Sequence, residues 1–116
     1  MENLDEKNNL NLLLDNSAEL TTEEVRNLLN ELSSSEIAHA LESSPPKQRK
    51  LFFSLLETNK EGDVLADLGE EIQQELVSNI SNEELAEAVK QLEPDETVDI
   101  LQNLPEDRMN TILSKM

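Results

Sequence analysis

From Thr21 onward the chain alternates short leucine-rich apolar patterns with polar or proline breaks. Thr22 precedes VRNLLNEL, with Glu23 and Glu24 in a first turn where the helix dipole favours acids. Ser34 or Ser35 opens EIAHALE, and Pro46 stands as a first-turn proline before KQRKLFFSLLE. Gly62-Asp63 starts VLADL, and Gly69 starts EEIQQELVSNI. Asn82 caps EELAEAVKQL, Pro94 opens DETVDILQNL, and Pro105 opens EDRMNTILSKM. These starts lie about 7–17 residues apart, which predicts helices of roughly eight to eleven residues. Helices that short are marginal alone and must be held by packing on their neighbours.

The pattern repeats. EEVRNLLNELSSSEIAHALESSPP aligns with EEIQQELVSNISNEELAEAVKQLEP at an offset of 47 that becomes 48 near Leu32. Val25 then matches Ile72, Leu41 matches Val89, and Pro46 matches Pro94. Two approximate repeats of about 48 residues, each with about four short helices, predict an all-α right-handed superhelix. A compact helical bundle is the alternative. The first 20 residues, Asn-rich and weakly patterned, read as an N-terminal extension, partly helical around Leu10 and Leu12–Leu14 or disordered. Residues 21–116 read as the domain.

Composition narrows the function. Two glycines and four prolines are too few for an all-β fold. With no cysteine there is no disulfide framework, thiolate nucleophile or Cys-ligated metal site. No apolar run approaches the roughly 18 residues of a membrane span, and MENLDEKNN is no secretory signal. The expectation is a cytoplasmic chain with no direct membrane insertion.

The net charge of −17 is uneven. Residues 61–107 hold 15 acidic side chains and one basic, Lys90. That field repels phosphate backbones and anionic lipid, which argues against nucleic acid and favours divalent cations or basic protein surfaces. Lys47, Arg49, Lys50 and Lys60 form the basic cluster, read as compensating neighbouring acids or docking an acidic partner.

Catalytic constellations are missing from the sequence. The single histidine, His39, falls opposite Ile37 and Leu41 on its helix and is expected to be exposed. Residues 57–62 carry oxygen side chains at calcium-loop spacing, but the twelfth position is Leu68 rather than a bidentate acid. Asp67-Leu68-Gly69 lacks the serine a carrier protein needs. An enzyme is not expected.

The helix expected over 94–104 carries the best candidate site. Thr97, Val98, Ile100, Leu101 and Leu104 span an apolar arc, while Asp95, Glu96, Asp99, Gln102 and Asn103 fill the other side. Asp95 and Asp99, four residues apart, stack one turn from each other and repel unless a cation or basic surface neutralises them. Hard divalent ions prefer such oxygens, and Mg²⁺ usually takes one or two carboxylates directly while keeping several waters. One exposed face would bind it weakly; a second set of acids from another domain would bind it better.

The phrases E-[hydrophobic]-A-x-x-L before a proline and LEPDETVDILQNLP resemble the cytosolic N-terminal domain of MgtE-type magnesium transporters, over about Thr21 to Met116. The resemblance implies a right-handed superhelix, followed in the full protein by CBS domains, a connecting helix and a membrane channel. It further implies regulation: cytosolic Mg²⁺ bridges acids of this domain and the CBS domains, and the closed assembly shuts the pore. Asp95, Glu96 and Asp99 match the family's acidic P-D-[DE]-x-x-D positions and take the ion-contacting role by that match. Mg²⁺ would be held weakly, shared with the partner domain. The fold is also similar to the helical domains of the flagellar switch protein, which gives the rival function: a metal-independent adaptor that docks a basic protein surface.

Overall fold

The computed structural model describes residues 20–116, so the expected N-terminal extension, with Leu10 and Leu12–Leu14, lies outside the described residues. Every regular element among the described residues is an α-helix: α1 (Thr22–Glu31), α2 (Ser34–Glu42), α3 (Pro46–Ser54), α4 (Thr58–Asp67), α5 (Glu70–Val77), α6 (Asn82–Val89), α7 (Pro94–Leu101) and α8 (Glu106–Ser114). Their first residues, 22, 34, 46, 58, 70, 82, 94 and 106, each stand 12 after the last. The spacing is thus uniform, where the sequence suggested starts 7–17 residues apart.

Side-chain caps set three of the starts, two of them reciprocal. The Thr21 hydroxyl accepts from the Glu24 N–H at 3.1 Å, and Glu24 accepts from the Thr21 N–H at 3.1 Å. Ser33 and Glu36 make the same exchange at 3.3 and 3.4 Å. The Ser81 hydroxyl accepts from the Glu84 N–H at 3.1 Å. The caps are therefore Thr21, Ser33 and Ser81; Ser34 opens α2 as expected, and Asn82 is the first residue of α6 rather than its cap. The glutamate three residues on marks the cap. Pro46 and Pro94 open α3 and α7 as expected, because a first-turn proline gives up an N–H that has no partner there.

One expected start does not exist. Gly62-Asp63 lies inside α4, which runs unbroken from Thr58 to Asp67. Glycine is here a contact residue, not a helix stop: a Cβ on Gly62 would stand 2.1 Å from the carbonyl oxygen of Ala88 on α6. The expected helices over 82–91 and 94–104 also end sooner, at Val89 and Leu101.

The chain forms two compact units. In the unit that ends at Glu57, α3 packs on both α1 and α2, and Val25, Leu29, Ile37, Leu41, Phe52 and Phe53 are buried. In the unit Thr58–Met116, α4 packs on α6 and α7, and α6 packs on α8. Val64, Leu65, Leu76, Leu85, Ile100 and Ile112 are buried there.

Each helix pair is closed by the fourth residue of its second helix. Arg49 Nε donates to the Leu41 carbonyl at 2.9 Å, Gln73 Nε2 to that of Leu65 at 2.8 Å, and Thr97 Oγ1 to that of Val89 at 3.3 Å. In each case the acceptor is the eighth residue of the preceding helix, whose last carbonyls lack partners within the helix. Arg49 also donates through Nη2 to the Ser44 carbonyl at 2.9 Å. It is buried and turned to backbone, so it presents no docking charge, while Lys47 and Lys50 are exposed.

Arg108 performs a comparable task between helices far apart in sequence. It donates to Asn82 Oδ1 at 2.8 Å, to the Val77 carbonyl at 2.7 Å and to the Ile80 carbonyl. One guanidinium thereby joins α8 to the turn between α5 and α6. Arg108→Ala is expected to destabilise the chain by about 2 kcal/mol in a denaturant melt, since charged hydrogen bonds to backbone are lost together. A change under about 0.5 kcal/mol would show that water replaces them without loss.

Candidate cation-docking face

Packing decides which way α7 faces. Thr97, Ile100 and Leu101 are buried, and the Thr97 bond to Val89 anchors the helix to α6. Asp95 and Asp99 are left exposed, one turn apart on the solvent side. Val98 joins them there at 57% exposure, so it does not belong to the buried arc. Leu104 lies beyond the helix end and is half-buried.

Glu96 is placed differently from the two aspartates. Its Oε1 accepts from the Glu93 N–H at 3.3 Å, which ties the carboxylate to the start of its own helix. It is half-buried rather than open. Asp95 and Asp99 therefore form the free pair, and Glu96 stabilises the turn that presents Asp95. No group of three or more His, Asp or Glu side chains placed to hold a metal occurs among the described residues. Two exposed carboxylates thus stand one helical turn apart on α7.

Beside this face, Thr97, Val98, Leu101, Gln102, Met109 and Leu113 line a shallow apolar depression between α7 and α8. His39 is exposed on α2, as its position opposite Ile37 and Leu41 predicts.

One acid was missed by the sequence reading. Glu61, assigned there only to a rejected calcium loop, is 4% exposed on α4 and its Oε2 has no hydrogen-bond partner. Burial first, and the Glu84 carboxylate second, push its pKa up to about 7. The signal that finds it is the even helix spacing: Glu61 is the fourth residue of α4, where α2 and α6 have Ile37 and Leu85.

The family model of the MgtE intracellular N domain matches residues 32–116, which is most of the chain. The chain belongs to that family. MgtE N domains are cytosolic parts of magnesium transporters and not a catalytic family. The match takes in α7 entire and all helices from α2 to α8. No curated protein matches the chain. Among the described residues no helix is long and apolar enough to cross a membrane.

Proposed function

We propose that this MgtE N domain senses Mg²⁺ and gates its transporter by docking the α7 face onto CBS domains through the bound ion. The observation that carries the reading is the pair Asp95 and Asp99, exposed one turn apart on a helix whose orientation three buried residues fix. Unneutralised, the pair opposes itself at close range. A hydrated Mg²⁺ relieves that repulsion and still has coordination sites for acids of a second surface. When the ion is scarce, two acidic surfaces repel and separate. The right-handed superhelix that the resemblance implies belongs to this proposal, as do the CBS domains and channel as partners.

The test is a thermal melt in millimolar MgCl₂ against NaCl of matched ionic strength. Mg²⁺ is expected to raise the melting temperature beyond the NaCl effect, and Asp95→Asn or Asp99→Asn to reduce that excess. In the absence of divalent ions Asp99→Asn is expected to be a few tenths of a kcal/mol more stable than the parent, because the repulsion is gone, whereas Asp95→Asn also gives up a first-turn charge that the helix dipole favours. Equal effects of the two salts would leave only screening and favour a metal-independent adaptor.

A further inference from the structure

Glu61 occupies a place that the fold would fill with an apolar side chain. Its counterparts, Ile37 on α2 and Leu85 on α6, are both 0% exposed. An ionised carboxylate there faces desolvation with no hydrogen bond on Oε2 and, among the described residues, no cation that favours its charge. The adjoining residue, Gly62, brings the backbones of α4 and α6 together at Ala88, one position along α4 from Glu61.

The charged groups on the helices that pack against α4 offer it no cation. On α6, Glu84 adds its negative charge to the Glu61 environment. Glu87 is paired with Lys90 at 2.8 Å and Glu83 with Lys115 at 3.2 Å, so both lysines of that region are engaged. On α7 the ionisable groups are Asp95, Glu96 and Asp99, and on α5, bonded to α4 through Gln73, they are Glu70, Glu71 and Glu75, all acidic. On α4 itself, Lys60 has other interactions, and Asp63 and Asp67 are exposed acids. The neutral form of Glu61 is the one this environment accepts.

We propose that Glu61 is a proton-operated latch on the α4–α6 contact: protonated, it lets the helices close at Gly62 and Ala88, and ionised, it loosens them. The sign follows from its raised pKa. Folded Glu61 titrates near pH 7 against an ordinary value of 4.5, so between these values the folded chain holds the extra proton. Stability from this group falls as pH rises from 4.5 to about 7 and is level above that. Through the Thr97–Val89 bond, α6 also carries α7, so loosening α6 disturbs the base on which Asp95 and Asp99 stand. The latch does not depend on metal binding and is tested without it.

The experiment is denaturant unfolding of the whole chain from pH 5.5 to 8 with EDTA, for the parent, Glu61→Gln and Glu61→Leu. The parent's folding constant is expected to be about 20-fold lower at pH 8 than at pH 5.5 from this group alone. General repulsion among the other acids adds a slope common to all three proteins. Glu61→Gln should lose the 20-fold component, and Glu61→Leu should lose it and be more stable at pH 8. Glu84→Gln should keep the component and move it to lower pH. Amide exchange should show α4 and α6 opening more at pH 8 than at pH 6, relative to α5, in the parent only. An unchanged slope in Glu61→Gln and Glu61→Leu would overturn the titration. Exchange that rises equally in every helix would overturn the latch.

Discussion

Gly62→Ala is expected to lower the melting temperature by roughly 10 °C, although alanine is the better helix former. By propensity alone the change should stabilise α4 by about 1 kcal/mol. Against this stands the Ala88 carbonyl oxygen, 2.1 Å from where the new Cβ would be, with the Ala88 carbonyl carbon at 3.1 Å. These are backbone atoms of a packed helix and cannot rotate away. The Leu92 side chain at 3.4 Å is ordinary contact and is not the obstacle. Separating α4 from α6 enough to admit a methyl costs about 3 kcal/mol, at the upper end for overpacking, so the loss outweighs the gain. A differential scanning melt of parent and variant decides the matter. A higher melting temperature for Gly62→Ala would mean that propensity governs and that α4 and α6 do not approach this closely.

The second large effect concerns the side chains that close the helix pairs. Arg49→Ala is expected to cost about 3 kcal/mol, Gln73→Ala about 1–2, and Thr97→Val about 1. The ranking follows from chemistry at one shared position. Arg49 is charged, makes bonds to two carbonyls at 2.9 Å, and fills buried space with its stem. Gln73 donates one neutral bond to a carbonyl at 2.8 Å, and the Thr97 bond is longer, at 3.3 Å, with valine keeping its shape. The positive charge of Arg49 also faces the C-terminus of α2, where the helix dipole favours it. Arg49→Met separates the contributions, since it keeps much of the stem and loses the donors. Chemical denaturation should then give Arg49→Met between parent and Arg49→Ala. Equal losses at all three positions would show that packing volume, not the carbonyl bonds, holds the pairs.

Much of the fold was legible because its punctuation is chemical. Prolines at 46 and 94 and the acids that follow the caps mark where helices begin, and leucines at helical spacing mark which face is inside. The even 12-residue spacing was obscured by Gly62, which looks like a stop and acts as a close contact. Composition cannot distinguish those roles, because the partner atom belongs to a residue 26 positions away on α6. Arg49 failed for a similar reason. Beside Lys47 and Lys50 it reads as a surface charge, and only the turn of α3 toward α2 shows its donors meeting carbonyls.

The site was legible in part. Spacing alone placed Asp95 and Asp99 on one side of a helix, and the structure leaves both exposed. It could not place Val98, since a wheel gives an arc and packing decides how much of it is covered. It also gave Glu96 the same standing as the aspartates, whereas the cap bond to Glu93 gives that carboxylate a local task. Glu61 escaped because a charged residue in a polar-looking run is ordinarily solvated. Aligned on Ile37 and Leu85, it becomes the exception that the fold has to tolerate.

The central claim is that the acidic face of α7 takes up Mg²⁺, and residue-resolved NMR with added MgCl₂ at constant ionic strength tests it most directly. Shifts concentrated on the amides of Asp95, Glu96 and Asp99, saturating at millimolar ion and lost in Asp95→Asn/Asp99→Asn, are the predicted result. Shifts spread evenly over the acidic residues, or unchanged by that double substitution, would contradict it.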